Sequence, residues 1–247
     1  MRIKIYQTEN AKRILFKITF PLILGLLILN IYFLSAFAVS SVKTKQDISE
    51  NLNKPTVIVD AGHGGFDGGA VVNNISEKNI NLNIALSLTN MLKLSGINVI
   101  NTRTEDVSTE SDSSLSVSAR KKSDMQNRLA LTAEYKDAIF VSIHLNKFPS
   151  QNVRGAQIFY GVKNKGSENL ALCIKNSIVS LLQKENTRPL KAGNKDMFLL
   201  YKSEIPSVIV ECGFMSNYAE LELLTDEKYQ QNMAFAVFIG ILEYLKQ

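Results

Sequence analysis

Histidine and cysteine are both scarce in this chain, with two of each among 247 residues. The cysteines, Cys173 and Cys212, stand 39 positions apart. That spacing excludes a zinc-finger pattern and offers no disulfide framework. A chain of this length needs no covalent staple, so both are expected as small buried hydrophobes and not as a bridge. An excess of positive charge is also missing from most of the chain. The net charge is +5, but residues 1–42 hold Arg2, Lys4, Lys12, Arg13 and Lys17 against Glu9 alone. The remaining 205 residues therefore carry only +1, which excludes a basic nucleic-acid-binding face, and no nucleic-acid partner is expected. No repeat of 20–50 residues is present, and no second domain is legible. With 45% hydrophobic and 21% charged residues, the composition is that of a globular domain with a sizeable core.

The basic residues of the N-terminus precede a stretch that is uncharged from Ile18 to Val42. A basic start followed by a long apolar run reads as an export signal whose positive side stays in the cytoplasm. Ala36 and Ala38 form an A-x-A cleavage pattern, yet about 20 apolar residues suffice to span a bilayer, so a cleaved signal and a membrane anchor both fit. Residues 1–42 are thus expected as export signal or anchor in contact with the membrane. Residues 43–54 are expected as a polar linker, and residues 55–247 as the folded domain, which works outside the cytoplasmic membrane.

From Thr56 onward, apolar β-branched runs alternate with helical patterns. Strands are expected in "TVIVD", "INVINTR", "AIFVSIH", "GAQIFYG", "MFLLY" and "SVIVECG". Ile80, Ile84, Leu88, Met91 and Leu92 fall at helical spacing, with Gly96 at the place of a C-terminal cap. Further helices are expected around 122–135 and 168–183 and twice at the C-terminus. Residues 104–119, with six serines and four acids, are expected to form a mobile loop. The alternation implies one α/β domain of about 190 residues with a mainly parallel sheet covered by helices on both faces.

Three expected strands end on chemistry. "TVIVD" runs into His63, "AIFVSIH" ends on His144, and "SVIVE" ends on Glu211. In open α/β sheets, ligands gather at the carboxyl ends of parallel strands, so these groups converge if the strands are parallel. Gly62, Gly64 and Gly65 let the backbone turn past the sheet edge and be approached closely. A carboxylate at the end of an apolar strand is costly to bury unless it is paired or near a metal. Glu77 follows Ser76 at a helix start, where a carboxylate is favoured by the unpaired N–H groups. Two histidines plus one carboxylate with an open position form the ligand set of catalytic zinc, and a second carboxylate can shuttle the proton in hydrolysis. The residues alone leave open which glutamate is ligand and which is base.

The blocks "DAGHGGFDGGA", "SEKNINLNIA", "VSIHLN" and "VIVECGFMSN" occur in order over the whole expected domain. They resemble the signature stretches of the zinc-dependent N-acetylmuramoyl-L-alanine amidases of type 3, and within that family they are most similar to sporulation and germination members. The resemblance implies a single α/β domain with a mixed, mostly parallel sheet between helices. It implies Zn2+ held by His63, Glu77 and His144, with Glu211 as the catalytic glutamate. It implies peptidoglycan as substrate, cut between N-acetylmuramic acid and L-alanine of the stem peptide. Action in the spore cortex, on the way to muramic-δ-lactam, is implied likewise, as is a location between the spore membranes.

Three rival readings share parts of this pattern: a zinc peptidase of wall peptides, a catalytically silent wall-binding protein, and a Cys212 nucleophile with His144 as base. Strand alternation opposes the last, because neighbours such as Glu211 and Cys212 point to opposite faces. No wall-binding module is recognisable. A ligand on a helix start moves with its helix, and no disulfide obviously braces this edge. The domain alone is therefore expected to hold zinc weakly, and a second exported or membrane-attached protein is expected as an accessory partner.

Overall fold

The computed structural model describes residues 16–17, 19–22, 25–35 and 54–247. The chain divides into two compact units, Met1–Asn53 and Lys54–Gln247. In the first, residues 25–35 are helical and expose large apolar side chains, among them Leu26, Ile28, Ile31 and Leu34. The Ala36–Ala38 pattern and residues 43–53 of the expected linker lie outside the described residues. Among the described residues, no helix is long and apolar enough to cross a membrane.

The second unit is built on a six-stranded sheet. Its strands are β1 (Thr56–Ala61), β4 (Asn98–Asn101), β5 (Ala138–Asn146), β6 (Gln157–Tyr160), β7 (Lys191–Ala192) and β8 (Ser207–Phe214). The order is β4-β1-β5-β8-β6-β7. The first four neighbours are parallel, and β6 runs antiparallel to β8. A two-stranded hairpin, β2 (Val71–Val72) and β3 (Ile75–Ser76), stands apart. Its two-residue turn places Asn73 and Asn74 at φ of 50° and 63°, the left-handed pair that such turns require and that asparagine tolerates. The domain is therefore α/β, with a mixed, mostly parallel sheet.

Helices cover both faces. On one lie α1 (Glu77–Leu94), α3 (Gly166–Leu181), α5 (Tyr218–Thr225) and α6 (Glu227–Leu245). Ile80, Ile84, Leu88 and Leu92 of α1 recur every four residues and pack with Ile174 and Val237 against Val57, Val141 and Val210 of the strands. Gly96 follows α1 at φ 78° and donates its N–H to the Lys93 carbonyl, closing the helix as expected. The other face is covered by α2 (Val117–Glu134) and α4 (Phe198–Lys202), over a smaller cluster of Ile58, Ala138, Phe140, Leu199 and Ile205.

Three local expectations are corrected. Helix α2 begins at Val117, five residues before the expected start, with Ser116 Oγ accepting the Ala119 N–H as its cap. Its buried stripe is Asp124, Arg128 and Thr132, a polar face at helical spacing that apolar periodicity does not detect. "MFLLY" forms the short helix α4 and not a strand. Five residues are too few to separate the two periods, and the Tyr201 and Ser203 N–H groups bond back to Met197 and Leu199. The serine-rich segment is tied down: Thr109 donates its N–H and hydroxyl to Asp124, and Glu110 pairs with Arg120 at 2.6 Å. Both cysteines are free, with Cys212 fully buried.

Candidate metal centre

The parallel register puts chemistry on one edge. Asp60 on β1 lies beside Ser142 on β5, and His144 lies beside Glu211 on β8. Alternation along each strand then separates two environments. Ile58, Phe140 and Ile209 are apolar, and two residues onward on the same face stand Asp60, Ser142 and Glu211. Cys212 projects to the opposite, fully apolar face, where burial pushes its thiol well above the ordinary range. That environment disfavours a thiolate nucleophile.

His63 sits two residues past β1 at φ 62°, a left-handed backbone that a residue with a side chain adopts only where its surroundings impose it. The glycines beside it are demanded by space. A Cβ on Gly62 would run into the His144 ring, and one on Gly69, at φ 67°, would lie 2.6 Å from Glu77 Oε2 and 2.7 Å from the His63 ring. Glu77 is the first residue of α1 and is buried. Its Oε2 accepts the Ala70 N–H at 2.8 Å, and its Oε1 accepts the Leu145 N–H at 3.0 Å. Asn81, one turn along α1, donates to both Glu77 Oε1 and the Gly62 carbonyl at 3.2 Å.

Three donors meet here. His63 Nε2 lies 3.3 Å and His144 Nδ1 3.0 Å from Glu77 Oε1. One atom from each residue falls within 4.8 Å of the others, a group able to hold a metal ion. Ligand atoms about 2.0–2.1 Å from a tetrahedral zinc lie about 3.3–3.4 Å from one another, the scale of the two distances to Glu77 Oε1. Asp67 Oδ2, 2.8 Å from His63 Nδ1, fixes the imidazole and leaves Nε2 toward Glu77. Burial opposes a charge on His63, but Asp67 and Glu77 outweigh it and raise its pKa to about 9. Glu77 is held far below the usual carboxylate range, its burial outweighed by the two histidines.

Glu211 differs. Burial is the main cause that raises its carboxyl to about 7, and Oε2 accepts no hydrogen bond among the described residues. It lines a cavity of about 330 Å³ with His63 and His144, walled by Phe66, Met125, Met197, Phe198 and Leu199. A carboxyl poised near neutral pH in such a pocket suits proton transfer.

Beneath the site lies a charged layer that sequence reasoning missed. Arg128 pairs with Asp60 at 2.5 Å and with Asp124 at 2.8 Å, and donates to the carbonyls of Ala61 and His63. Arg103 also reaches Ala61 and Gly62. The edge has no disulfide, as expected, and these side chains hold it from below. The only sequence signal for α2's part in it is the polar i, i+4 spacing of Asp124, Arg128 and Thr132.

A family model described as N-acetylmuramoyl-L-alanine amidase matches residues 57–243. The chain belongs to this amidase family. The germination-specific N-acetylmuramoyl-L-alanine amidase of Bacillus subtilis is 33% identical to it over 225 residues, covering 91% of this chain and 93% of that protein. Among solved structures, the CwlD amidase of Clostridioides difficile, in complex with the GerS lipoprotein, superposes with a TM-score of 0.75 at 40% identity. The match covers 78% of this chain and 99% of that one. The amidase AmiC2 of Nostoc punctiforme has a TM-score of 0.68 at 29% identity, over 79% of this chain and 99% of that one.

Proposed function

We propose that this amidase is an exported zinc enzyme of peptidoglycan. It cleaves the amide between the lactyl group of N-acetylmuramic acid and L-alanine of the stem peptide, in the spore cortex, as a step toward muramic-δ-lactam. The carrying observation is the convergence of His63, Glu77 and His144 beside Glu211, whose Oε2 has no hydrogen-bond partner among the described residues. The three donors are the zinc ligands. A zinc ion held by them supplies Lewis acidity toward the scissile carbonyl and the attacking water. Glu211 takes the proton from that water and returns it to the nitrogen of L-alanine as the amine leaves. Phe66, Met125, Phe198 and Leu199 line the pocket with apolar surface and exclude bulk water from this transfer.

The N-terminal segment carries the domain across the cytoplasmic membrane and either anchors it there or is cleaved. Its basic start and uncharged run support this reading. A cortex location is favoured by the similarity to the germination-specific relative. The complex of the similar CwlD amidase with a lipoprotein supports an exported, lipid-attached accessory partner here as well.

Purified full-length protein supplied with zinc should take up one ion and release, from sacculi, free stem peptides that begin with L-alanine. His144→Ala should lose both the metal and the activity while remaining folded. Shortened peptides still attached to glycan would instead identify a peptidase, and absence of any cleavage with metal bound would identify a wall-binding protein.

A further inference from the structure

We propose that Arg103 is a positioning residue: its guanidinium locks the turn carrying His63 to the first turn of α1 carrying Glu77, and so sets the affinity of the site for its metal. This rests on the zinc reading above.

Arg103 lies just past β4 and is 5% exposed. Its Nε donates to the Ala61 carbonyl at 2.9 Å, and its Nη2 donates to Gly62 at 3.0 Å and to Lys78 at 2.8 Å. Nη1 donates to Glu105 at 3.0 Å. Ala61 and Gly62 immediately precede His63, and Lys78 immediately follows Glu77. One rigid, planar group thus bonds the backbone beside two of the three metal donors. Among the described residues its acceptors are all backbone carbonyls. Burial and the neighbouring Arg128 oppose its charge, and Asp60, Asp106 and Asp124 offset this only in part, leaving its pKa below the usual range. The approach is close: a Cβ on Gly64 would lie 2.9 Å from Arg103 Cδ.

The residues after Arg103 repeat the bridge on the outside. Asp106 accepts the Gly65 N–H at 2.9 Å and pairs with Lys78 Nζ at 2.7 Å, while Lys78 Nζ also donates to the Gly65 carbonyl at 2.8 Å. The start of the serine-rich segment is therefore a strap across the two ligand-bearing segments. Lysine cannot replace Arg103, because one nitrogen with three donors does not span acceptors that the guanidinium fork reaches with its separate nitrogens.

The test is a zinc dissociation constant, read by competition with a chromophoric chelator on the full-length protein. Arg103→Lys and Arg103→Gln should each weaken zinc roughly 10–100-fold, as loss of a supporting contact does. Arg103→Gln also removes a positive charge, which alone favours a cation, so weakening reports lost positioning. Leu92→Ala, at the far end of the same helix, should lower the Tm while leaving zinc affinity unchanged. Unchanged affinity in the Arg103 variants, or equal weakening in Leu92→Ala, overturns the proposal. If both Arg103 variants fail to fold, Lys78→Met carries the test: weakening of up to about fivefold is expected, the scale of an exposed pair, and unchanged affinity overturns the bracing. A wild-type protein that takes up no zinc overturns the zinc reading itself, a result distinct from failure of the Arg103 variants alone.

Discussion

The two faces of the central sheet solve different problems with the same strands. Toward α1, α3 and α6 the inward residues are apolar along the whole strand, as in Val57, Val59 and Ala61 of β1. Toward α2 and α4 they begin apolar, with Ile58 and Phe140, and become polar toward the carboxyl ends, with Asp60 and Ser142. There α2 does not insert a leucine stripe. It inserts Arg128, which pairs with Asp60 and donates to the His63 carbonyl, and Asp124, which pairs with Arg128. Apolar burial is non-directional and stabilises the fold by area. A charged hydrogen-bond layer is directional, so it can hold three carbonyls in one turn and a histidine in a left-handed backbone. The difference teaches that one face stabilises the domain while the other aims its side chains.

The sharpest break of this comparison is Glu211→Gln. Activity on peptidoglycan should fall by about 10²–10⁴-fold, the usual contribution of a general base, with zinc content retained. Stability should move the other way. A carboxyl raised to about 7 in the folded state weakens the fold as pH rises from its unfolded value near 4 and through 7. In zinc-stripped protein the Gln variant should therefore gain Tm over wild type at pH 8 and not at pH 4. Next is Arg128→Met, which leaves Asp60 buried without its cation. Urea unfolding should show a loss of about 3–5 kcal/mol, the scale of a broken buried pair. Asp60 is held below the ordinary range, its burial outweighed chiefly by Arg128, so wild type keeps this stabilisation above pH 4 and loses it as pH falls further.

Two smaller substitutions sharpen the contrast at matched size. Thr102→Val removes the hydroxyl that donates to Asp60 at 2.8 Å, and should cost about 1–3 kcal/mol while lowering activity per folded molecule. Ile174→Val, on the apolar face, should cost about 0.5–1.5 kcal/mol and leave kcat unchanged. Equal effects of both on kcat would show that the two faces are not separable in function.

Legibility followed the same division. Strands β1, β5 and β8 and helix α1 were readable because their buried residues are apolar and periodic, and His63, His144 and Glu211 were readable because they end such runs. The start of α2 was hidden because its buried stripe is charged, and "MFLLY" was ambiguous because it is too short to show a period. Glu77 had a sufficient local explanation as a helix-start carboxylate. Its turn toward the histidines depends on the Ala70 and Leu145 N–H groups, the latter far along the chain.

By itself the sequence determined the α/β class, the mostly parallel sheet, the apolar core and the amidase family, and it put forward four candidate residues for the site. Those follow from local periodicity and from short blocks of fixed order. Only the tertiary structure decided that Arg103 joins Ala61 and Gly62 to Lys78, that Arg128 seats Asp60 and the carbonyl of His63, and that Glu211 keeps an oxygen without a partner among the described residues. The physical reason is the sequence separation of the partners. An apolar residue needs only a buried face, which its own segment specifies, whereas a hydrogen bond or ion pair needs a particular atom at a particular angle, and here that atom lies up to 68 residues away.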